Sequence, residues 1–265
     1  MQPAPSATTT PPLASSAPFG GRWVLVTGAS SGLGRAIAIE LSAQGAGVAL
    51  CGRDAARLAE TAAALGGGSH RMLPLDLTQH AALVPAVQQL RADVGPLYGL
   101  CHAAGVVQTR PLASTGVDAV RAQMDVNLYA GLELARAVCR RDVMDPTGGS
   151  LLFLSSVYGR AGMAGQVGYS ATKGALVAAV RALAVELARR NIRANCLSPG
   201  LVMTAMTEQS LGLLSAAHVE QLKAAHPLGP GQPADVAHAA AFLLSPLSRW
   251  VTGVDLPVDG GYTAQ

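Results

Sequence analysis

Tyr169 and Lys173 stand four residues apart, and Ser156, second of the pair Ser155-Ser156, precedes Tyr169 by thirteen. On a helix, positions four apart share one face, so the Lys173 ammonium would lie beside the Tyr169 phenol and lower its pKa by stabilising the phenolate. A phenol at its ordinary pKa of about 10 is a sluggish base near neutral pH, and a lowered one is a usable acid-base group. Ser156 would hydrogen-bond a substrate oxygen and stabilise the charge that grows there as hydride reaches the carbonyl carbon, while Tyr169 delivers the proton; alcohol oxidation runs the steps backward. With five Tyr and two Lys in 265 residues, a random Tyr-x-x-x-Lys has odds of roughly a few per cent. The structural alternative is an exposed helix pair.

Hydride chemistry of this kind needs a carrier, and Thr27-Gly28-Ala29-Ser30-Ser31-Gly32-Leu33-Gly34 followed by RAIAIELSAQG offers a place for one. This reads as strand, glycine turn and helix start. Gly28 makes the tight turn, Gly32 admits a phosphate to the backbone, and Gly34 lets helix and sheet pack closely, with pyrophosphate at the helix N-terminus. A glycine cluster alone is also what a tight turn needs; the strand-to-helix context carries the inference. Enzymes that use NAD usually place a carboxylate at the end of the second strand, for the ribose hydroxyls. Here that position reads Gly52-Arg53, and a guanidinium grips a 2′-phosphate through two charge-assisted hydrogen bonds. NADP(H) is therefore expected, with Arg35 and Arg57 as weaker candidates for the same role. The alternative makes Arg53 a solvated residue ahead of the helix cap Asp54.

These groups need a scaffold, and the sequence describes one. From Trp23 onward short β-type runs alternate with Ala- and Leu-rich helical stretches, the pattern of an α/β, doubly wound Rossmann-type parallel sheet with helices on both faces. Seven strands are expected, Trp23 to Thr27, Val48 to Gly52, Met72 to Leu75, Gly99 to His102, Ser150 to Ser155, Arg193 to Leu197 and Val254 to Val258. Helices should begin near Leu33, Ala55, Ala81, Asp118, Tyr169 and Ala234, with Asp54 and Thr78 among the capping residues. The segment from Thr204 to Pro227 is helical in pattern but breaks the alternation, which suits a substrate lid. Residues 1–18, rich in Pro, Ala, Ser and Thr, read as a disordered tail ahead of one catalytic domain over 19–265.

Composition narrows the function. The net charge is +3, but 17 of the 19 cationic residues are Arg and they are scattered, so nucleic acid is not an expected partner. The four cysteines lie far apart without a CxxC pair, which reads as reduced thiols in the cytoplasm rather than disulfides or metal ligands. No apolar run approaches the roughly 20 residues that cross a bilayer.

Taken together, the glycine turn, Ser156, Tyr169 and Lys173 resemble the short-chain dehydrogenase/reductases of the single-domain type, and the resemblance runs from about Arg22 to Tyr262. It implies that Asn127, in MDVNLYA, is a fourth catalytic residue, holding a water that relays protons to Lys173; otherwise Asn127 is a mid-helix polar residue. It further implies that Asp76 and Leu77, in PLDLT, lie near the adenine, and that Pro199-Gly200 and Thr204 form the nicotinamide-side loop. Asp259-Gly260-Gly261 resembles the family's C-terminal signature. The stretch after the fourth strand, His102-Ala103-Ala104-Gly105, departs from the family's commoner Asn-Asn-Ala-Gly. Ala103, Ala104 and Gly105 are still expected against the cofactor, and His102 is expected to be structural. Within the family, HPLG, FLLS and VTGVDLPVDGGY look most like bacterial 3-oxoacyl thioester reductases. The loop Asp145-Pro146-Thr147-Gly148-Gly149 lacks the basic residues that carrier-protein docking would use.

Two regions should line the substrate pocket: Val157 to Gly168, with Tyr158, Arg160, Met163 and Gln166, and the lid, with Met206, Leu211, Leu213, Leu214 and His218. Their apolar character suits a ketone with a hydrocarbon portion. The helix SATKGALVAAVRALAVELARR is apolar around more of its circumference than one sheet contact requires, and with the resemblance this points to a homodimer or homotetramer. Two other readings remain: an NADP-linked alcohol, steroid or polyol dehydrogenase, and a dinucleotide-binding regulator without turnover, whose usual mark would be a missing Tyr or Lys.

Overall fold

The computed structural model describes residues 17–66, 68–212 and 215–265. Most of the expected tail, and Leu213 and Leu214 of the expected lid, lie outside the described residues. Among the described residues seven strands form one parallel sheet: β1 (Trp23–Thr27), β2 (Gly47–Gly52), β3 (His70–Pro74), β4 (Leu97–His102), β5 (Gly149–Leu154), β6 (Ile192–Pro199) and β7 (Asp255–Val258), in the order β3-β2-β1-β4-β5-β6-β7. The helices are α1 (Gly32–Ala43), α2 (Ala55–Ala63), α3 (His80–Val94), α4 (Val117–Met124), α5 (Ala130–Val138), α6 (Val167–Leu187), α7 (Ala205–Leu211), α8 (Ala216–Ala224) and α9 (Pro233–Leu244).

Strand pleating explains why two cores form. In β1 the period of two sends Leu25 to one face and Val24 and Val26 to the other. Leu25 joins the core built on α3, α5 and α6, and its neighbours join the one built on α1 and α9. Both faces are covered, so central strands such as β2, GVALCG, are buried throughout. After β3 the chain crosses to the other side of β1, which opens a crevice at the C-terminal ends of β1 and β4.

Four details differ from the sequence reading, and one expected cap is present. Ser155 lies past the end of β5. Thr78 does not cap α3: its amide and hydroxyl donate to the Asp76 carboxylate, and Gln79 occupies the N-cap position. Asp54 does cap α2, accepting from the Arg57 amide at 3.0 Å. The helix expected near Asp118 continues to Val138, interrupted by a widened turn at Asp125–Tyr129. Ala17 and Pro18, expected in the tail, belong to the turn that seats the fully buried Phe19.

The end of α9 is held by an arginine on β6. Arg193 Nη1 donates to the Leu243 carbonyl (2.8 Å) and to that of Val251 (3.2 Å), and Nη2 to those of Leu244 (3.3 Å) and Ser245 (3.0 Å). Helix C-termini leave carbonyls without partners, and a cation there satisfies both the hydrogen bonds and the helix dipole. Arg193→Met is expected to cost roughly 1–3 kcal/mol, because the Leu244 carbonyl loses its donor while those of Leu243, Ser245 and Val251 keep only Ser150, Ser248 and Asn195. Denaturant unfolding measures this, and a midpoint equal to that of the parent protein would show that the carbonyls find other donors.

Candidate active site

The glycine turn joins β1 to α1 with almost no side chain over it. Gly28 has φ +67°, and a β-carbon there would lie 2.9 Å from the Ala104 backbone. At Gly34 it would lie 2.3 Å from the Gly28 carbonyl oxygen, and Gly32 has φ +52°. Only glycine meets these conditions without displacing main chain. The Ala104 amide donates to Thr27 Oγ1 at 3.1 Å, fixing Ala103, Ala104 and Gly105 beside the turn. Ser31 is the N-cap of α1 but makes no side-chain cap bond, so the first amides of this helix are left for another acceptor. Bare backbone facing a helix N-terminus is a cradle that fits a diphosphate.

Ser30 packs against Gly52, which brings the turn next to Arg53 at the end of β2. Arg53 is exposed. Its charge adds to the two Thr78 hydrogen bonds that hold the Asp76 carboxyl below the usual range, so Arg53 and Asp76 are neighbours, and Leu77, next in the chain, is buried. Arg35 is committed elsewhere: it donates to Thr61 Oγ1 (2.9 Å) and the Ser30 carbonyl (2.8 Å) and pairs with Glu60 (3.0 Å). It braces the turn.

The residues expected to do chemistry converge. Tyr169 and Lys173 are in the first two turns of α6, with the Lys173 Nζ 5.5 Å from the Tyr169 ring centre. Ser156 follows β5, and its Oγ accepts from the Tyr158 amide at 3.2 Å. Asn127 is in the widened turn and fully buried. Its Oδ1 accepts from the Val106 amide (2.7 Å), and its Nδ2 donates to the Val106 carbonyl (2.9 Å) and Thr172 Oγ1 (3.0 Å). A β-carbon on Gly105 would lie 3.4 Å from both Asn127 Oδ1 and Lys173 Nζ, so these two groups meet across a bare glycine.

One expectation is corrected. Burial pushes the Tyr169 phenol up to about 12, and hydrogen bonding with Ser156 draws it only part of the way back. The Lys173 ammonium does not lower it, because Nζ donates to the Leu154 carbonyl at 2.6 Å and burial reduces its own pKa to about 8. The site therefore pairs a firmly protonated phenol with an ammonium that gives up its proton unusually easily. Sequence reading missed three supports: the Leu154 carbonyl; Ser155, whose Oγ donates to the Lys173 carbonyl at 2.9 Å; and Thr172, whose Oγ1 donates to the Tyr169 carbonyl at 2.8 Å. Backbone acceptors leave no mark in a sequence, but a hydroxyl beside each catalytic candidate was a readable signal.

Opposite the turn, Pro199 ends β6, and a β-carbon on Gly200 would lie 2.8 Å from His226 Nε2. Thr204 caps α7 and stands over Gly32, and Gly32, Arg35, Met203, Thr204 and Glu208 border a cavity of about 340 Å³. His226 Nε2 accepts from the Leu201 amide (2.9 Å), Nδ1 donates to the Leu222 carbonyl (2.9 Å), and the ring stacks on Tyr262, which meets Tyr158 edge-on. Two expected pocket residues belong to the scaffold instead. Arg160 is gripped by the Asp255 carboxylate and carbonyl, and the buried Gln166 donates to Thr109 Oγ1 at 2.7 Å.

The family model described as Enoyl-(Acyl carrier protein) reductase matches residues 28–263. A mouse 3-oxoacyl-[acyl-carrier-protein] reductase is 35% identical over 237 residues, covering 89% of this chain and 95% of its own. A human (3R)-3-hydroxyacyl-CoA dehydrogenase is 33% identical over 248 residues, covering 89% and 94%. Among solved structures, one from Agrobacterium tumefaciens, provisionally assigned as a 2-deoxy-D-gluconate 3-dehydrogenase and holding NADP, has a TM-score of 0.85 at 30% identity, covering 94% of this chain and 99% of its own.

The buried ammonium makes stability depend on pH in a stated direction. Lys173 titrates near 8 in the fold against 10.5 unfolded, so between these values the unfolded chain binds more protons and stability rises with pH. The burial penalty is present in full below pH 8 and is relieved by 10.5. The parent protein should therefore gain stability over a Lys173→Met variant as pH rises from 7.5 to 10, which thermal unfolding at stepped pH measures; a constant difference would place Lys173 at its ordinary pKa.

Proposed function

Because the chain belongs to the short-chain dehydrogenase/reductase family, whose members bind a nicotinamide dinucleotide and act on carbonyl or alcohol carbons, we propose that it is an NADP(H)-dependent reductase of ketones with a substantial apolar portion, 3-oxoacyl thioesters among them. The observation that carries the reading is the Tyr169 phenol beside Ser156 and Lys173, which burial keeps protonated. A group so firmly protonated at neutral pH is a proton donor for an oxygen that becomes more basic as it is reduced. When bound, the nicotinamide supplies the hydride. Ser156 holds the carbonyl oxygen and stabilises its growing charge, Tyr169 Oη gives up the proton, and Lys173 Nζ, near 8, returns it by way of a water held at Asn127.

The phosphate preference rests on Arg53, a neighbour of Asp76 and of the turn at Ser30, whose guanidinium matches a 2′-phosphate in charge and shape. Asp76 and Leu77 would border the adenine; Gly28, Ser31, Gly32, Leu33 and Gly34 would hold the diphosphate; Ala103 to Gly105 and Pro199, Gly200 and Thr204 would border the nicotinamide half. The substrate class is supported by the names of the mouse and human relatives, both of which concern 3-oxygenated acyl thioesters. The NADP-bound Agrobacterium structure supports a second reading, a polyol-type dehydrogenase using the same residues in oxidation. The segment from Thr204 to Pro227, with α7 and α8, is the lid in this proposal. Small or apolar residues on the outward side of α6, among them Ala171, Ala178, Ala182 and the 80% exposed Val185, support a homo-oligomer joined through that helix. The thiols are free, as a cytoplasmic enzyme's would be. No described helix is long and apolar enough to cross a membrane.

NADPH oxidation against 3-oxoacyl thioesters, alkyl and aryl ketones and oxidised sugars tests the reading, and turnover only with alcohols and NADP⁺ would favour the second. Tyr169→Phe should keep NADPH affinity while turnover falls roughly 10²-fold or more; near-parental turnover would remove Tyr169 from the proton path. Arg53→Ala should weaken NADPH and leave NADH almost unchanged, and titration by intrinsic fluorescence compares the two. Equal weakening would remove Arg53 from the phosphate site.

A further inference from the structure

His102 occupies the end of β4, fully buried, with both ring nitrogens engaged. Nδ1 is 3.0 Å from Thr27 Oγ1 and Nε2 is 3.1 Å from the Val126 carbonyl oxygen. The Val126 carbonyl only accepts, so Nε2 carries a proton, and in a neutral ring Nδ1 is left to accept from the Thr27 hydroxyl, whose oxygen accepts from the Ala104 amide. The deep burial of the ring keeps it neutral, with its proton on Nε2. Burial and the nearby Lys173 charge act the same way, holding the imidazole down at about 4.

The bond to Val126 falls where the helix is irregular. In the widened turn at Asp125–Tyr129 the Ala130 amide donates to the Asp125 carbonyl, five residues back. A regular helix would direct that amide to the Val126 carbonyl. The Val126 oxygen thus loses its helical donor and receives Nε2–H of His102 instead. Wide turns cost hydrogen-bond geometry and persist where a side chain enters the ladder. The next residue is Asn127, whose amide spans Val106 and Thr172. Gly131 completes the arrangement, since a β-carbon there would lie 2.7 Å from His102 Cδ2 and 3.0 Å from Nε2. The helix makes room for this ring and for nothing smaller to fill.

We infer that His102 is a positioning residue for the proposed reaction: its Nε2–H pins the widened turn and thereby sets the place of Asn127 beside Lys173. This rests on the functional reading above for its kinetic consequence but not for its structural one. Two near-isosteric substitutions separate the two ring bonds. Glutamine extends its amide to about the position of Nε2 and keeps a donor for Val126; asparagine reaches only the position of Nδ1 and keeps a partner for Thr27.

His102→Gln and His102→Asn would be compared with the parent by steady-state kinetics, NADPH titration and amide hydrogen exchange over residues 124–131. The expected result for His102→Asn is faster exchange in this segment and a fall in kcat of about tenfold or more with KM and NADPH affinity little changed, as displacement of a positioned group produces. His102→Gln should remain within about threefold of the parent in kcat and keep slow exchange. Equal effects of the two substitutions, or the reverse order, would overturn the inference. The exchange comparison needs no turnover, so a parent protein inactive on every substrate would refute the reductase reading while the role of His102 is still decided. Gly131→Ala is a further check: it should speed exchange in the parent background and do so much less beside asparagine, and equal effects in both backgrounds would refute the fit of ring to glycine.

Discussion

A buried ammonium constrains everything around it. Lys173 Nζ is out of contact with solvent, and a charge there is tolerated only where oxygens converge on it. The Leu154 carbonyl provides one, at the point where β5 stops. For that oxygen to face α6, the strand must end there and the helix must lie across it, with Ser155 Oγ tying the two together through the Lys173 carbonyl. On the other side the charge meets Asn127 across Gly105, where a side chain would intrude. Helix position, strand length and the bare glycine all follow from keeping one cation solvated by protein.

Much of this was legible in the sequence. The alternation of β-type runs and helical stretches gave the seven strands nearly in place, because buried parallel strands are apolar runs bounded by turn residues. The glycine turn was legible because its constraint is steric and leaves glycine as the only residue for the job. Spacing placed Tyr169 and Lys173 together, since a helix repeats geometrically. The electrostatic result went the other way from the spacing argument: proximity predicts a lowered phenol, but burial raises it, and Ser156 rather than Lys173 is the group that draws it back. The widened turn at Asp125–Tyr129 was not legible, as nothing in DVNLY marks a departure from the helix and the ring that bonds its Val126 carbonyl, His102, comes from another element. Arg160 was misplaced for a similar reason, since Asp255 lies 95 residues further along the chain. Long-range pairing decides such side chains, and local pattern carries no trace of it.

The wall facing the cofactor cradle has a logic of its own. Three segments distant in sequence, the loop after β6, the end of α8 and the C-terminal turn, meet on His226, which bonds the first two and stacks on Tyr262 of the third. Tyr262 in turn touches Tyr158 beside Ser156. A rearrangement of α8 would thus reach the substrate side of the site through ring contacts rather than through the sheet, which Arg193 and the strand ladder keep rigid.

The strand order has a consequence for synthesis. A nascent chain that has emerged through β3 holds the neighbours β3-β2-β1, but the other edge of β1 has no partner until β4 follows. That edge carries apolar residues on both faces and a row of unpaired backbone groups, a template for mispairing between chains on adjacent ribosomes. A pause between Pro74 and Leu97 therefore lengthens exposure of the strand destined for the middle of the sheet, whereas a pause after β4 leaves that strand already enclosed.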